Sequence, residues 1–178
     1  HSKPIEDIGL RRRMIRDLAV IQAPPEVRTQ YLRLLDRHQQ IFSLTKQELG
    51  RSNLLHHEII LKTPEPIYVK QFKIPEEHKH YIEKEVQEWL KLGIVRPTRS
   101  RYNSPLFLVR KKDGTYRVVQ DFRALNAQSY IDKYSMMDVQ ECINAIGHAG
   151  SRVFTTLDLT SGFWQMKLHP RSRSYTAF

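Results

Sequence analysis

Asp158 closes the apolar run at residues 153–159 (VFTTLDL) and stands directly before Thr160, Ser161 and Gly162. A carboxylate on such a run is costly unless it is paired, hydrogen-bonded or bound to a metal. Two readings follow. Asp158 caps the turn through Ser161 or a backbone N–H, or it is a hard oxygen ligand for Mg²⁺. Spacing alone favours neither. The metal reading needs partner acids, and residues 159–178 contain no Asp or Glu. The second chemical feature is a basic stripe. Residues 96–123 hold eight cations (Arg96, Arg99, Arg101, Arg110, Lys111, Lys112, Arg117, Arg123) against Asp113 and Asp121, and so carry +6 of the net +10. Such a stripe raises the local potential for polyanions. Tyr102, Phe107, Tyr116 and Phe122 interleave with it, and rings beside cations suit nucleic acid better than a merely solvated face.

The stripe is mounted on the clearest local pattern in the chain. Residues 106–112 (LFLVRKK) and 115–123 (TYRVVQDFR) read as strands, and Asp113 and Gly114 between them predict a two-residue hairpin turn. Alternation sets Arg117, Val119, Asp121 and Arg123 on one face, and Tyr116, Val118, Gln120 and Phe122 on the other. Lys111 and Lys112 fall at the tip. A helix precedes the hairpin: Pro75 suits its first position, Glu76 and Glu77 suit its N-terminal dipole, Ile82, Val86, Trp89 and Leu90 share a face, and Gly93 stops it. His78 and His80 read as surface residues, and His56 with His57 carries no ligand pattern.

The flanks are less regular. Residues 6–22 predict an amphipathic helix on Leu10, Met14, Leu18 and Ile21, with Arg11, Arg12, Arg13 and Arg16 mostly facing elsewhere, ended by Pro24 and Pro25. Residues 26–42 predict a second, with His38 as a half-buried packing residue. Residues 57–62 and 67–73 read as short extended pieces around the breaker at 63–66. Residues 137–146 predict a helix packed through Val139, Cys142, Ile143 and Ile146 and stopped by Gly147. Residues 153–159 then predict a largely buried strand, and 163–169 a strand or a short helix followed by a strand.

Composition sets the outer limits. The chain has 178 residues, 40% of them hydrophobic and 27% charged, with mean hydropathy −0.54. That fits one folded domain, or a small domain with an arm, and excludes a disordered tail. No window approaches the ~18 apolar residues of a membrane span. Cys142 is the sole cysteine, which excludes an internal disulfide and a Cys-based metal site and makes a reducing intracellular compartment the default. The chain opens on His1 rather than Met, with no apolar segment behind it that would serve as a secretory signal. It is expected to be cut from something longer.

Several motifs occur in an order that resembles a known family. They are Trp89-Leu90-x-x-Gly93-Ile94-Val95-Arg96-Pro97, Ser104-Pro105, Val109-Arg110-Lys111-Lys112-Asp113-Gly114-Thr115-Tyr116-Arg117, Asp121-Phe122-Arg123-Ala124-Leu125-Asn126 and Phe154-Thr155-Thr156-Leu157-Asp158-Leu159-Thr160-Ser161-Gly162-Phe163-Trp164-Gln165. Over about residues 48–178 the chain resembles the N-terminal part of the reverse transcriptase of Ty3/gypsy-type LTR retrotransposons. The resemblance implies an α+β fold, an incomplete right-hand polymerase with an N-terminal helical arm. Residues 1–46 would be a connector, 47–66 the lead-in, 67–134 fingers with a mobile hairpin tip, and 135–178 the start of the palm. It implies RNA-directed DNA polymerase activity in the parent chain. Lys111 and Arg117 would neutralise the dNTP triphosphate, and Phe163 would stack beneath the sugar and exclude a 2′-hydroxyl. Asp121 and Arg123 would set the template strand. Asp158 and the backbone carbonyl of Leu159 would hold Mg²⁺, two ions serving the complete enzyme. The implied partners are an RNA or DNA template-primer, dNTP and the remainder of the Pol polyprotein (rest of palm, thumb, RNase H), in a cytoplasmic particle or the nucleus, with no membrane.

One departure from the family bears on activity, and two are minor. The family's Tyr-x-Asp-Asp loop is absent, and no Asp-Asp pair occurs anywhere. Tyr116 stands where the family often has Trp, and Gln120 where it usually has an apolar residue. The chain alone is therefore expected to be inactive. The rival readings are a non-enzymatic nucleic-acid-binding module that keeps the basic fingers, and a domesticated interaction protein using the helical arm.

Overall fold

The computed structural model describes residues 5–45 and 48–178. The chain falls into two compact units, one built from the stretch through Gly50 together with Lys133–Gln165, the other from Arg51–Asp132 and Met166–Phe178.

In the first unit, α1 (Ile8–Leu18) begins where Asp7 accepts a hydrogen bond from the Leu10 N–H at 2.8 Å, which satisfies one of the otherwise unpaired N-terminal donors. It is shorter at both ends than the 6–22 pattern suggests. Ala19 is already extended, and the β-branched pair Val20 and Ile21, which loses rotamer freedom in a helix, follows it. α2 (Pro25–Arg37) has Pro25 at its first position and Glu26 in its first turn. It stops at Arg37 and a 3-10 turn at Gln39–Ile41 follows, so the expected continuous helix to Phe42 is split. His38 sits at that break, exposed rather than half-buried.

The arm is held by charge rather than by a large core. Ile15 is the one buried residue of α1, and α2 has none. Arg11, which the helical pattern placed among the outward arginines, turns inward. Its Nε donates to the Gln39 carbonyl at 3.1 Å, its Nη2 to the Phe42 carbonyl, and its Nη1 and Nη2 to Glu48 at 2.8 and 3.1 Å. Glu48 also accepts from the backbone N–H groups of Ile5 and Leu44. The Arg11 guanidinium, with those amides, holds the Glu48 carboxyl below the usual range. Arg16 forks onto Asp36 and links α1 to α2.

The remainder of this unit departs from expectation. α5 (Val139–His148), capped by Asp138 through the Gln140 N–H, runs on past Gly147 and ends before Gly150, whose φ of +59° breaks the helix. Val139, Cys142, Ile143 and Ile146 are exposed rather than packed. Residues 153–159 form no strand and are exposed. A strand exists only when a neighbour takes its N–H and C=O groups, and among the described residues none pairs there. The turn at 160–161 leads into the short helix α6 (Gly162–Gln165).

The second unit carries the hairpin. α3 (Glu76–Lys91) starts behind Pro75, which occupies the cap rather than the first helical position, and ends at Leu92 and Gly93, the latter at φ +68°. β1 (Leu106–Arg110) and β2 (Tyr116–Gln120) pair antiparallel with Leu106 opposite Gln120 and Arg110 opposite Tyr116. Ile82 and Trp89 of α3 and Leu106 of β1 form the buried cluster, with Val86, Leu108 and Val118 packed around it. Tyr116 lies over α3 as well, with ring centroids 4.8 Å from His78 and 5.1 Å from Tyr81. His78 is therefore half-buried, not a plain surface residue.

Residues 57–62 and 67–73 make only isolated bridges, at His57, Leu61 and Tyr68. The physical reason is a change of partner along each run. His57 bonds to Lys167 and His169, Ile59 to the Ser172 hydroxyl, and Ile60 and Lys62 to Tyr130 and Gln128. On the other run, the Gln71 side chain takes both the N–H and the carbonyl of Leu106 where a backbone ladder would continue. α4 (Arg123–Gln128) follows β2 directly, and a 3-10 segment spans Pro170–Thr176. After α6, residues 163–169 thus yield one bridge at Leu168 rather than a strand.

Candidate nucleotide site at the hairpin

The turn between β1 and β2 differs from the two-residue form. The Lys111 N–H donates to the Thr115 carbonyl at 2.7 Å and the Gly114 N–H to the Lys111 carbonyl at 3.1 Å, with Gly114 at φ +83°. That is a three-residue loop in which a left-handed glycine follows a tight turn. Asp113 accepts from the Thr115 hydroxyl at 2.7 Å and the Thr115 N–H at 2.9 Å. The hydroxyl bond first, then the amide, holds its carboxyl below the usual range. Asp113 is thus held ionised in the turn, and its single charge offsets only one of the cations beside it.

Those cations share one cleft. A concavity of ≈ 450 Å³ is lined by Val109, Arg110, Lys111, Lys112, Asp113 and Arg117. Strand register explains part of the grouping, because Val109 lies opposite Arg117 and both point away from the face that packs on α3. The Arg110 guanidinium leans over the turn, 4.0 Å from where a side chain at Gly114 would begin. Among the described residues none of Arg110, Lys111, Lys112 and Arg117 has an ion-pair partner. Four cations against the one carboxylate of Asp113 leave the cleft lining with a cationic excess, which raises the local potential for anions. Lys111 and Arg117 are therefore brought together, and Arg110 and Lys112 join them. Neither of the latter has a role in the sequence reading, and the two-residue turn expected there would have set Arg110, not Val109, opposite Arg117.

Asp121 and Arg123 pair with each other instead. Arg123 donates through Nε to both Asp121 oxygens at 2.9 and 3.1 Å and through Nη2 at 2.6 Å, and its N–H adds a fourth bond at 3.0 Å. The Arg123 side chain, with its amide, lowers the Asp121 carboxyl to about 2. Arg123 opens α4 rather than extending β2, so it does not share a strand face with Arg117. Its side chain is 86% exposed and that of Asp121 10%.

Asp158, Leu159 and Phe163 belong to the other unit. Asp158 is exposed, and among the described residues no hydrogen bond or ion pair engages its carboxylate, so the turn-capping role is not the one adopted. The Leu159 carbonyl accepts the Gly162 N–H at 3.2 Å, and Phe163 is 98% exposed on α6. Among the described residues no three His, Cys, Asp or Glu side chains converge to hold an ion. Magnesium needs several oxygen ligands, so these residues alone do not compose a metal centre. No helix among them is long and apolar enough to cross a membrane.

No protein-family model matches the chain. The Pol polyproteins of the Drosophila melanogaster transposons 412 and gypsy are each 33% identical to it, over 161 and 168 residues, covering 87% and 91% of the chain. That of transposon opus is 35% identical over 150 residues and covers 82%. The chain belongs to the retroelement Pol family. It spans 13%, 16% and 15% of the 412, gypsy and opus polyproteins. Among solved structures, the prototype foamy virus protease-reverse transcriptase matches 100% of the chain with a TM-score of 0.73 at 23% identity, over 24% of its own length. The foamy viral enzyme in complex with an RNA/DNA hybrid matches 99% with a TM-score of 0.70 at 24% identity. These two share the fold of this Pol segment.

Proposed function

We propose that this Pol segment supplies the fingers and the first part of the palm of a right-hand RNA-directed DNA polymerase. Its hairpin grips the triphosphate of the incoming dNTP. The observation that carries the reading is the cleft of Arg110, Lys111, Lys112 and Arg117, four cations against the single carboxylate of Asp113 around ≈ 450 Å³. A triphosphate is a compact polyanion, and phosphoryl transfer depends on neutralising and positioning it. On this reading Lys111 and Arg117 contact the phosphates, and the Asp121 and Arg123 pair steadies the template. Phe163 meets the sugar and rejects a 2′-hydroxyl. Asp158, with the Leu159 carbonyl, contributes to a magnesium site that needs further ligands from outside the described residues. The foamy viral complex with an RNA/DNA hybrid supports a template-primer as partner.

The test is primer extension by a Pol chain that carries this segment. Lys111→Ala and Arg117→Ala should each lower dNTP incorporation at least tenfold while template-primer affinity changes little. Equal losses in both would argue against a triphosphate-specific hairpin. The lone Asp158 favours a second reading for the chain on its own, that of a nucleic-acid-binding module without polymerase activity. Detectable extension by the isolated chain would remove it.

A further inference from the structure

A second cleft lies in the same unit as the hairpin and shares none of its lining residues. It has a volume of ≈ 470 Å³ and is walled by residues 58–64 on one side and by Tyr102 and Tyr175 on the other. The two rings sit 4.9 Å apart, tilted by 57°. Their backbones are tied in place. The Ser100 hydroxyl donates to the Ser174 carbonyl at 2.7 Å and accepts the Tyr102 N–H at 3.1 Å, and the Ser104 N–H donates to the Ala177 carbonyl at 2.8 Å. Burial raises the Tyr102 hydroxyl above the usual phenol range, so this end of the pair is partly dry.

The surroundings are cationic. Lys62 lines the cleft. The loop before Tyr102 carries exposed Arg99 and Arg101, and the 3-10 segment bearing Tyr175 carries exposed Arg171 and Arg173. None of these five is ion-paired among the described residues. Glu58 is the only acid on the lining. Paired aromatic rings flanked by unpaired arginines are how proteins hold unpaired nucleotides, with bases stacking on rings and phosphates meeting the cations. A peptide would want an open backbone edge. Here the backbone of residues 57–62 is largely engaged by residues 128–130 and 167–172.

We propose that Tyr102 and Tyr175 hold an unpaired base of a single-stranded nucleic acid, with Arg99 and Arg101 taking the adjacent phosphates. The inference rests on nucleic acid as the partner in the proposed function, but not on the role of the hairpin. Fluorescence anisotropy of the full 178-residue chain with labelled oligo(dT) at low salt, beside photocrosslinking of iodouracil-substituted oligo(dT), tests it. Tyr102→Leu and Tyr175→Leu should each weaken binding about tenfold, the effect of losing one stacked base, while Tyr102→Phe keeps it. Arg101→Glu, at an exposed position that does not threaten folding, should weaken it several-fold and flatten its salt dependence. Crosslinks should map to Tyr102 or Tyr175. Crosslinks confined to residues 110–117, or unchanged affinity in the Arg101→Glu chain, would overturn this site and leave the hairpin reading intact. A chain that binds no oligo(dT) at low salt would overturn this site and the nucleic-acid partner it rests on, and would leave the triphosphate reading of the hairpin to its own titration.

Discussion

Replacing Arg11 by Met cuts the arm at its one dense polar contact. The guanidinium makes two bonds to Glu48 and one each to the carbonyls of Gln39 and Phe42. The two side chains are only 13% and 11% exposed. Met refills the methylene volume but returns no donor. Glu48 is left with the Ile5 and Leu44 amides alone, the Phe42 carbonyl loses the guanidinium, and the Gln39 carbonyl keeps only the Phe42 N–H at 3.4 Å. Removing one side of a buried pair costs about 3–5 kcal/mol, and nothing apolar compensates, since Ile15 is the only buried residue of α1. At 1.4 kcal/mol per tenfold, amide exchange in α1 should quicken by at least about a hundredfold. Hydrogen exchange read by mass spectrometry gives this directly, with α3 of the other unit as the internal reference. The pair also sets a pH dependence. The Glu48 carboxyl is depressed in the fold, so its contribution is present above the ordinary glutamate value and is lost as pH falls through the lower folded value. Wild-type α1 should lose protection on acidification below about pH 4, and the variant should not show that step. Exchange in α1 unchanged by Arg11→Met would refute the reasoning.

Other consequences are equally concrete. Gly114→Val places a β-branched residue at φ +83° and should cost about 1–2 kcal/mol, seen as a lower urea midpoint and loss of the Lys111 N–H protection. The Asp121 carboxyl should titrate at about 2 by carbon-detected NMR; its ion pair with Arg123 is then complete above the ordinary aspartate range and lost only as pH falls through that value, and a midpoint near 4 would contradict the fork. Ile143→Ser on α5 should change stability by no more than about 0.5 kcal/mol, because Ile143 is 54% exposed; a loss of several kcal/mol would mean that its face is packed.

What the sequence shows of this fold depends on how local the cause is. α3 and the hairpin are legible because their determinants sit within a few residues: Pro75 with Glu76 and Glu77, the spacing of Ile82, Val86 and Trp89, and Gly114 between two β-rich runs. The loop type is misjudged because the Asp113 and Gly114 dipeptide serves both hairpin turns, and only the Lys111 to Thr115 bond separates them. The run at 153–159 reads as a strand because its residues favour one, but a strand depends on a partner that local pattern does not supply. Arg11 is illegible for the opposite reason. Helical spacing counts it among surface cations, while its acceptors come from residues 39, 42 and 48. In the site, Lys111 and Arg117 follow from motif and charge together. Their grouping with Arg110 and Lys112 needs the strand register.

The central claim is that the hairpin cleft takes a triphosphate. Isothermal titration of the chain with dNTP, and with inorganic tripolyphosphate as the base-free probe, tests it most directly. Both ligands should bind, more weakly as salt rises, and Lys111→Ala or Arg117→Ala should each lower the affinity about tenfold, the loss of one charge-assisted contact. Binding that is absent at low salt, or that is indifferent to both substitutions, would contradict the account.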